Sequence, residues 1–239
     1  MSRRNVVFIV LALVAVAVCT RLGFWQLSRL RERRARNELA ASRVTQPPVA
    51  PAALPGDVTL ARLRRVTLSG RYDYAHEVVL TNRSRQGSPG VYIVTPLRPA
   101  GADTAVLVTR GWVYSPDGST VDLARWREAD TATVAGFVES FPPAAEGRGS
   151  AEVPNRPTAF RWLDRGLMTR RVGYPLAPYY VVLLGADSTA TADSTPVRLT
   201  TPALDEGPHL SYAIQWFSFA LIALVGAGVF VASERRKGR

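Results

Sequence analysis

Apolar positions crowd into two long runs, one near each end of the chain, and alternate with polar positions in between. The first run is Val6–Thr20, preceded by Arg3 and Arg4. A basic start before a short apolar stretch also describes a cleaved signal peptide. No small-x-small cleavage site with a polar mature start follows it, and the chain resumes after Arg21 as Leu22-Gly23-Phe24-Trp25-Gln26-Leu27. Val6–Trp25 matches the roughly 20 residues needed to cross ~30 Å of hydrocarbon. Arg21 can snorkel to the headgroups and Trp25 suits the interface, so an uncleaved spanning helix is expected. Ala15, Cys19 and Gly23 recur every four positions and are expected to share one small-residue face that packs closely against another helix.

The second run, Leu210–Ser233, carries no charge and ends in Glu234-Arg235-Arg236-Lys237. Two spans put both termini on one side, and the basic tail assigns that side to the cytoplasm. The arginines following the first span, from Arg29 to Arg36, oppose a simple charge count, but a long intervening domain translocates largely regardless of charge.

Between the runs, Gln26–Ser42 reads as a basic helix, and Pro47, Pro48, Pro51 and Pro55 as a non-helical linker. Beyond it Arg64–Tyr72, Glu77–Ser84, Val91–Leu97, Ala105–Tyr114 and Thr131–Glu139 are β-branched or alternating runs, separated by Gly- and Pro-rich turns. Pro142–Pro157 reads as an irregular loop, Phe160–Arg171 as a helix, and Tyr179–Leu184 and Val197–Thr200 as late strands. The fold class expected is a membrane protein with two transmembrane α-helices flanking a mainly β (α+β) extracytoplasmic domain, sandwich- or barrel-like. The segments are residues 1–27, a first span with a basic cytoplasmic start; 28–56, basic helix and linker; 57–208, the β domain; and 209–239, a second span and basic tail.

Charge narrows the partners. The 30 Lys and Arg against 19 Asp and Glu give +11, yet no nucleic-acid-binding motif accompanies them, and the arginines beside the apolar ends favour a membrane surface. Cys19 is the only cysteine, which excludes an intramolecular disulfide. The chain lacks HExxH, a GxSxG elbow and a GxxxxGK[ST] loop. Asp122, Glu128 and Asp130 read as solvated surface charge, so no enzyme is expected. His76 reads as a surface histidine at a turn. Arg83 and Arg110, at strand ends, read as a salt-bridged corner or as carboxylate binders.

His209 opens the second run. Helical spacing places His209, Tyr212, Ala213, Trp216 and Ala220 on one face. Two readings stand at this point: an aromatic belt at the interface, or an imidazole ligand of the kind that holds haem iron. His76 gives no reason to approach His209 as a second ligand.

Four stretches carry a resemblance: Leu22-Gly23-Phe24-Trp25-Gln26-Leu27-Ser28-Arg29; Gly70-Arg71-Tyr72 with Asn82-Arg83 and Gly87–Leu97; Val108-Thr109-Arg110-Gly111-Trp112-Val113; and His209–Phe217. In this order, with two flanking spans, the chain resembles the surfeit-locus-one (Shy-one) family, membrane assembly factors for cytochrome c oxidase. Thr109 stands where the family often has Asn, Arg33 where Lys is common, and Glu206-Gly207-Pro208 where Asn residues are common. The resemblance implies a domain on the outer membrane face. It also implies haem a as cofactor with His209 as the metal ligand, and Tyr212 and Trp216 as pocket residues. The partners implied are the oxidase catalytic subunit and the haem a synthesis machinery, besides membrane lipid. A cofactor-free scaffold for an oxidase subunit is the alternative. With no presequence ahead of the first span, a bacterial plasma (inner) membrane is the expected location.

Overall fold

The structure is a computed structural model and describes residues 3–143, 150–185, 195–201 and 204–237. It divides into two units, one of residues 1–41 and 203–239 and the other of 42–202.

The first unit is helical. Helix α1 runs Arg3–Thr45 without a break, so the apolar span and the basic stretch form one rod of about 65 Å at 1.5 Å per residue. Helix α4 is His209–Lys237. Both are long and apolar enough to cross a membrane. They lie antiparallel: Asn5 donates to Glu234 at 2.6 Å, the Phe8 and Phe230 rings stack at 4.6 Å, and Phe24 meets Phe217 edge-on at 5.3 Å. The shielded positions of α1 recur at alternating spacings of four and three: Asn5, Ile9, Ala12, Val16, Cys19, Gly23, Gln26 and Leu30. Those of α4 follow the same rule from His209 through Ala213, Trp216, Ala220, Ala223 and Ala227 to Phe230. That is the seam of a two-stranded coil, made of small residues that let backbones approach without a hydrophobic drive from water. Cys19 and Gly23 belong to the seam, but Ala15 is exposed, because a fixed step of four drifts off a 3.5-residue repeat.

The second unit is a barrel with an extension. Its strands are β1 (Arg65–Tyr72), β2 (Val78–Leu80), β3 (Gly90–Arg98), β4 (Ala105–Tyr114), β5 (Thr131–Ser140), β6 (Glu152–Val153), β7 (Arg156–Phe160) and β8 (Leu176–Leu183), with short helices α2 (Val58–Ala61) and α3 (Arg165–Val172). The order β1-β5-β8-β4-β3 closes through Arg71↔Arg98 and Tyr72↔Leu97. The β2-β7-β6 ribbon continues from the rest of the β3 edge. Alternation then sorts the side chains. Val106 and Val108 fill the barrel with Val66, Leu68, Val138 and Val181, while Leu107 faces outward onto Phe160, Leu163 and Met168. Full burial of each such side chain contributes about 1.5–3 kcal/mol.

Several expected boundaries change. The strand at Glu77–Ser84 shrinks to Val78–Leu80, because Asn82 takes a left-handed φ of 57° and turns the chain. Of the expected loop Pro142–Pro157, residues 144–149 lie outside the described residues, and its far end instead forms the β6–β7 hairpin around Asn155, at φ 59°. The helix expected at Phe160–Arg171 starts at Arg165, since Phe160 ends β7 and Asp164 caps the helix by accepting from the Leu167 N–H at 2.8 Å. Val197–Thr200 makes isolated bridges to Trp112 and Leu184 rather than a strand. One short 3-10 turn, Pro51–Ala53, interrupts the proline linker.

Candidate functional site

The residues leading into α4 set the position of His209. The Asp205 carboxylate accepts the Gly207 N–H at 3.0 Å, and Gly207 takes φ 66°, a conformation that strains any residue with a Cβ. Pro208 follows, and its carbonyl accepts the Tyr212 N–H at 3.1 Å, so the helix begins at His209. Arg33 pairs with Asp205 at 2.8 Å, Arg34 grips Glu206 through two bonds of 2.8 Å, and Asn37 reaches the Asp205 carbonyl at 2.8 Å. Exposed pairs are individually weak; together they hold the lead-in along α1.

His209 is half-buried on the seam, with Nδ1 2.9 Å from Gln26 Oε1. A carboxamide oxygen only accepts, so Nδ1 carries the proton and Nε2 the lone pair. Among the described residues Nε2 has no hydrogen-bond partner. An imidazole anchored through one nitrogen and free at the other is the arrangement in which histidine binds metal. The donor chemistry therefore fits a single nitrogen ligand to a metal such as iron. Trp216 lies on the same seam, whereas Tyr212 is exposed on the outer surface of α4. The single face expected for His209, Tyr212 and Trp216 thus separates: step three from His209 to Tyr212 turns away from α1, and step four to Ala213 turns in. Between the helices there is no space for a macrocycle. Ala213 is buried, and a Cβ on Gly23 would sit 2.7 Å from the Phe217 ring.

The other singled-out residues gather at one end of the barrel. The β3–β4 register slips between Ile93 and Val94, leaving Arg110 as an extra residue between Thr109 and Gly111. Continuing the alternation of Val106 and Val108, the Arg110 side chain points into the barrel at this bulge, where it is 0% exposed. Gly111 is required there, because a Cβ would meet the Val197 carbonyl oxygen at 2.5 Å. Arg110 donates to Glu77 at 2.6 Å, to Glu128 at 2.9 and 2.8 Å, and to the Trp126 carbonyl. Arg198 donates to the Arg110 carbonyl at 2.5 Å and to Glu128. Burial would pull the Arg110 guanidinium down, but Glu77 and Glu128 outweigh it and hold it above its ordinary value. Burial, reinforced by Glu128, pushes the adjacent Tyr72 hydroxyl up to about 12. Two arginines and two glutamates neutralise one another here, so the cluster reads as a structural plug.

Glu128 is therefore not the solvated surface charge expected of it. It lies in an irregular segment whose sequence gives no burial signal. Asp122 accepts the Ala124 N–H at a short 3-10 turn, and Asp130 pairs with Arg71 at 3.5 Å on the surface. Arg83 pairs with no carboxylate among the described residues; it donates to the Arg161 carbonyl at 2.9 Å. His76 binds Asp73 at 2.7 Å, and Tyr174 donates to the same carboxylate at 2.8 Å. Sequence reasoning missed Gln26, although it falls on the four-three spacing shared by Gly23 and Leu30.

The SURF1 family profile matches residues 13–221. The chain is 29% identical over 240 residues to an uncharacterized SURF1-like protein of Mycobacterium tuberculosis, covering 97% of this chain and 86% of the relative. It is 24% identical to a SURF1-like protein of Rickettsia conorii, over 95% of this chain and 90% of the relative. To a SURF1-like protein of Monosiga brevicollis it is 26% identical, over 95% and 87%. The chain belongs to the SURF1 family, known generally as oxidase assembly factors.

Proposed function

We propose that this protein is an assembly factor for cytochrome c oxidase that holds haem a at the outer membrane face and passes it to the catalytic subunit. It acts as a carrier and catalyses no bond change. The observation that supports this best is the His209–Gln26 bond of 2.9 Å, which leaves Nε2 free. Haem a, when bound, would supply an iron that accepts a nitrogen ligand. His209 supplies the nitrogen, Gln26 fixes its tautomer and orientation, and Tyr212 on the outer surface flanks the ligand. Trp216, half-buried on the seam, stiffens the helix under His209 rather than touching the ring. A single protein ligand leaves release easy, as delivery requires.

Location follows from the same helices. Antiparallel packing brings Arg3 and Arg4 beside Arg235 and Arg236, at the end marked by Asn5 and Glu234. That basic end belongs in the cytoplasm, which puts His209 and the β unit outside a bacterial inner membrane. The proposed partners are the oxidase catalytic subunit, the haem a synthesis machinery and lipid. Replacing the chromosomal copy with His209→Ala tests the reading: the oxidase is expected to lose haem a, and a full haem complement would overturn it.

A cofactor-free scaffold is the second reading, and the packed seam favours it, since His209 already joins the two helices. It is distinguished by co-purification of the catalytic subunit that survives His209→Ala together with normal haem content.

A further inference from the structure

A cleft of about 840 Å³ opens at the end of the barrel, between the β3–β4 turn and the segment before β5. Two of its guanidiniums are already placed. Arg127 lies over the Tyr74 ring at 5.4 Å, and Arg98 over the Tyr174 ring at 5.0 Å. Both platforms are tethered: the Tyr74 hydroxyl accepts the Glu128 N–H at 3.0 Å, and the Tyr174 hydroxyl donates to Asp73 at 2.8 Å. A stacked guanidinium keeps its N–H edge free and loses little freedom on binding. Neither arginine has a carboxylate within ion-pair distance among the described residues.

The acidic groups of the cleft are mostly committed. Asp73 takes hydrogen bonds from the Ala75 N–H and Tyr174 and meets His76. Asp130 faces Arg71 at 3.5 Å. Three arginines and three aspartates line the cleft and balance in formal charge, so an anion would be held by the N–H edges of Arg98 and Arg127, which no carboxylate pairs among the described residues. The overall charge of +11 draws anions toward it. The volume falls in the range of small-molecule sites, roughly 300–1,000 Å³.

We propose that this cleft binds a small polyvalent oxyanion, carrying phosphate or carboxylate groups, across Arg98 and Arg127. The site is independent of His209.

Calorimetric titration of the full chain in non-ionic detergent at low ionic strength tests it, with inorganic pyrophosphate and propane-1,2,3-tricarboxylate as separate probes. Saturable binding of at least one probe is expected, and the tighter one identifies the natural class as phosphate or carboxylate. Arg98→Gln/Arg127→Gln is expected to weaken binding about tenfold or more, with the thermal midpoint unchanged. Arg98→Lys/Arg127→Lys keeps the charge but not the fork and is expected to fall between. Arg170→Gln, an exposed charge on α3, is expected to bind as the unmodified protein does. Absence of saturable binding of both probes, or equal affinity in the double glutamine variant, would overturn the proposal.

Discussion

His209 Nδ1 lies 2.9 Å from Gln26 Oε1, a bond between positions 183 apart in the chain. It ties the first residue of α4 to the seam of α1 and leaves Nε2 as the only free nitrogen of the ring. Outer partners of a metal-binding histidine typically change metal affinity about 10–100-fold. Gln26→Ala is therefore expected to weaken haem binding by that factor without abolishing it, as measured by haem titration of the purified protein. Unchanged affinity would separate Gln26 from the site.

The helices pack tightly at Gly23, whose missing side chain makes room for the Phe217 ring. Gly23→Leu forces extra volume into this contact and is expected to destabilise the helix pair by about 1–3 kcal/mol. Phe217→Ala in the same chain should recover most of that loss, because the two sites share one space. Thermal unfolding of the four proteins of this cycle checks it. Strict additivity of the two substitutions would contradict the packing described.

Among the described residues Arg110 is the largest fully buried side chain, and it holds Glu77 and Glu128 at one barrel end. Removing one member of a buried pair costs about 3–5 kcal/mol, since the remaining charge stays buried and unpaired. Arg110→Ala strands two carboxylates and is expected to reach the upper part of that range, as loss of β-unit stability in denaturant. Glu77→Gln, which keeps the shape and an acceptor for Thr95, should cost less. An Arg110→Ala protein as stable as Glu77→Gln would mean that the cluster is solvated.

Asp117 organises the turn after β4. Its carboxylate accepts from the Thr120 hydroxyl at 2.6 Å, the Thr120 and Ser119 N–H groups at 2.8 and 2.9 Å, and the Ser115 hydroxyl at 2.8 Å. These bonds, that of the Thr120 hydroxyl foremost, hold the carboxyl far below the ordinary aspartate value of 3.8. A carboxyl depressed in the folded state contributes stability above its unfolded pKa and loses it as pH falls toward the folded one. The thermal midpoint should exceed that of Asp117→Asn from neutral pH down to about pH 4, and the gap should close only in stronger acid. A gap that closes between about pH 6 and pH 5 would contradict the assignment.

Much of this fold was readable in the chain. Ala105–Tyr114 and Thr131–Glu139 show themselves as β-branched runs, and their observed limits match within a residue. The two apolar helices follow from length and composition alone. What was not readable depended on long-range geometry. Arg110 looked like the end of a strand, and its burial rests on Glu77 and Glu128, which distant segments bring to it. Glu128 sits in a segment with no periodicity, so nothing local marks it as the partner of two arginines. The β6–β7 hairpin is too short for alternation to register. At the candidate site His209 stood out by rarity, but Gln26, its hydrogen-bond partner on α1, did not. A helical wheel at 3.6 residues per turn groups Tyr212 with His209, whereas the seam of α4 steps from His209 to Ala213 and that of α1 from Gly23 to Gln26.

The central proposal is most directly tested by the visible spectrum of the full chain purified from cells that make haem a, beside its His209→Ala variant prepared identically. A Soret band in the unmodified protein that disappears in the variant is the expected result. A band of equal position and intensity in both proteins would contradict ligation by His209, and no band in either would contradict haem binding.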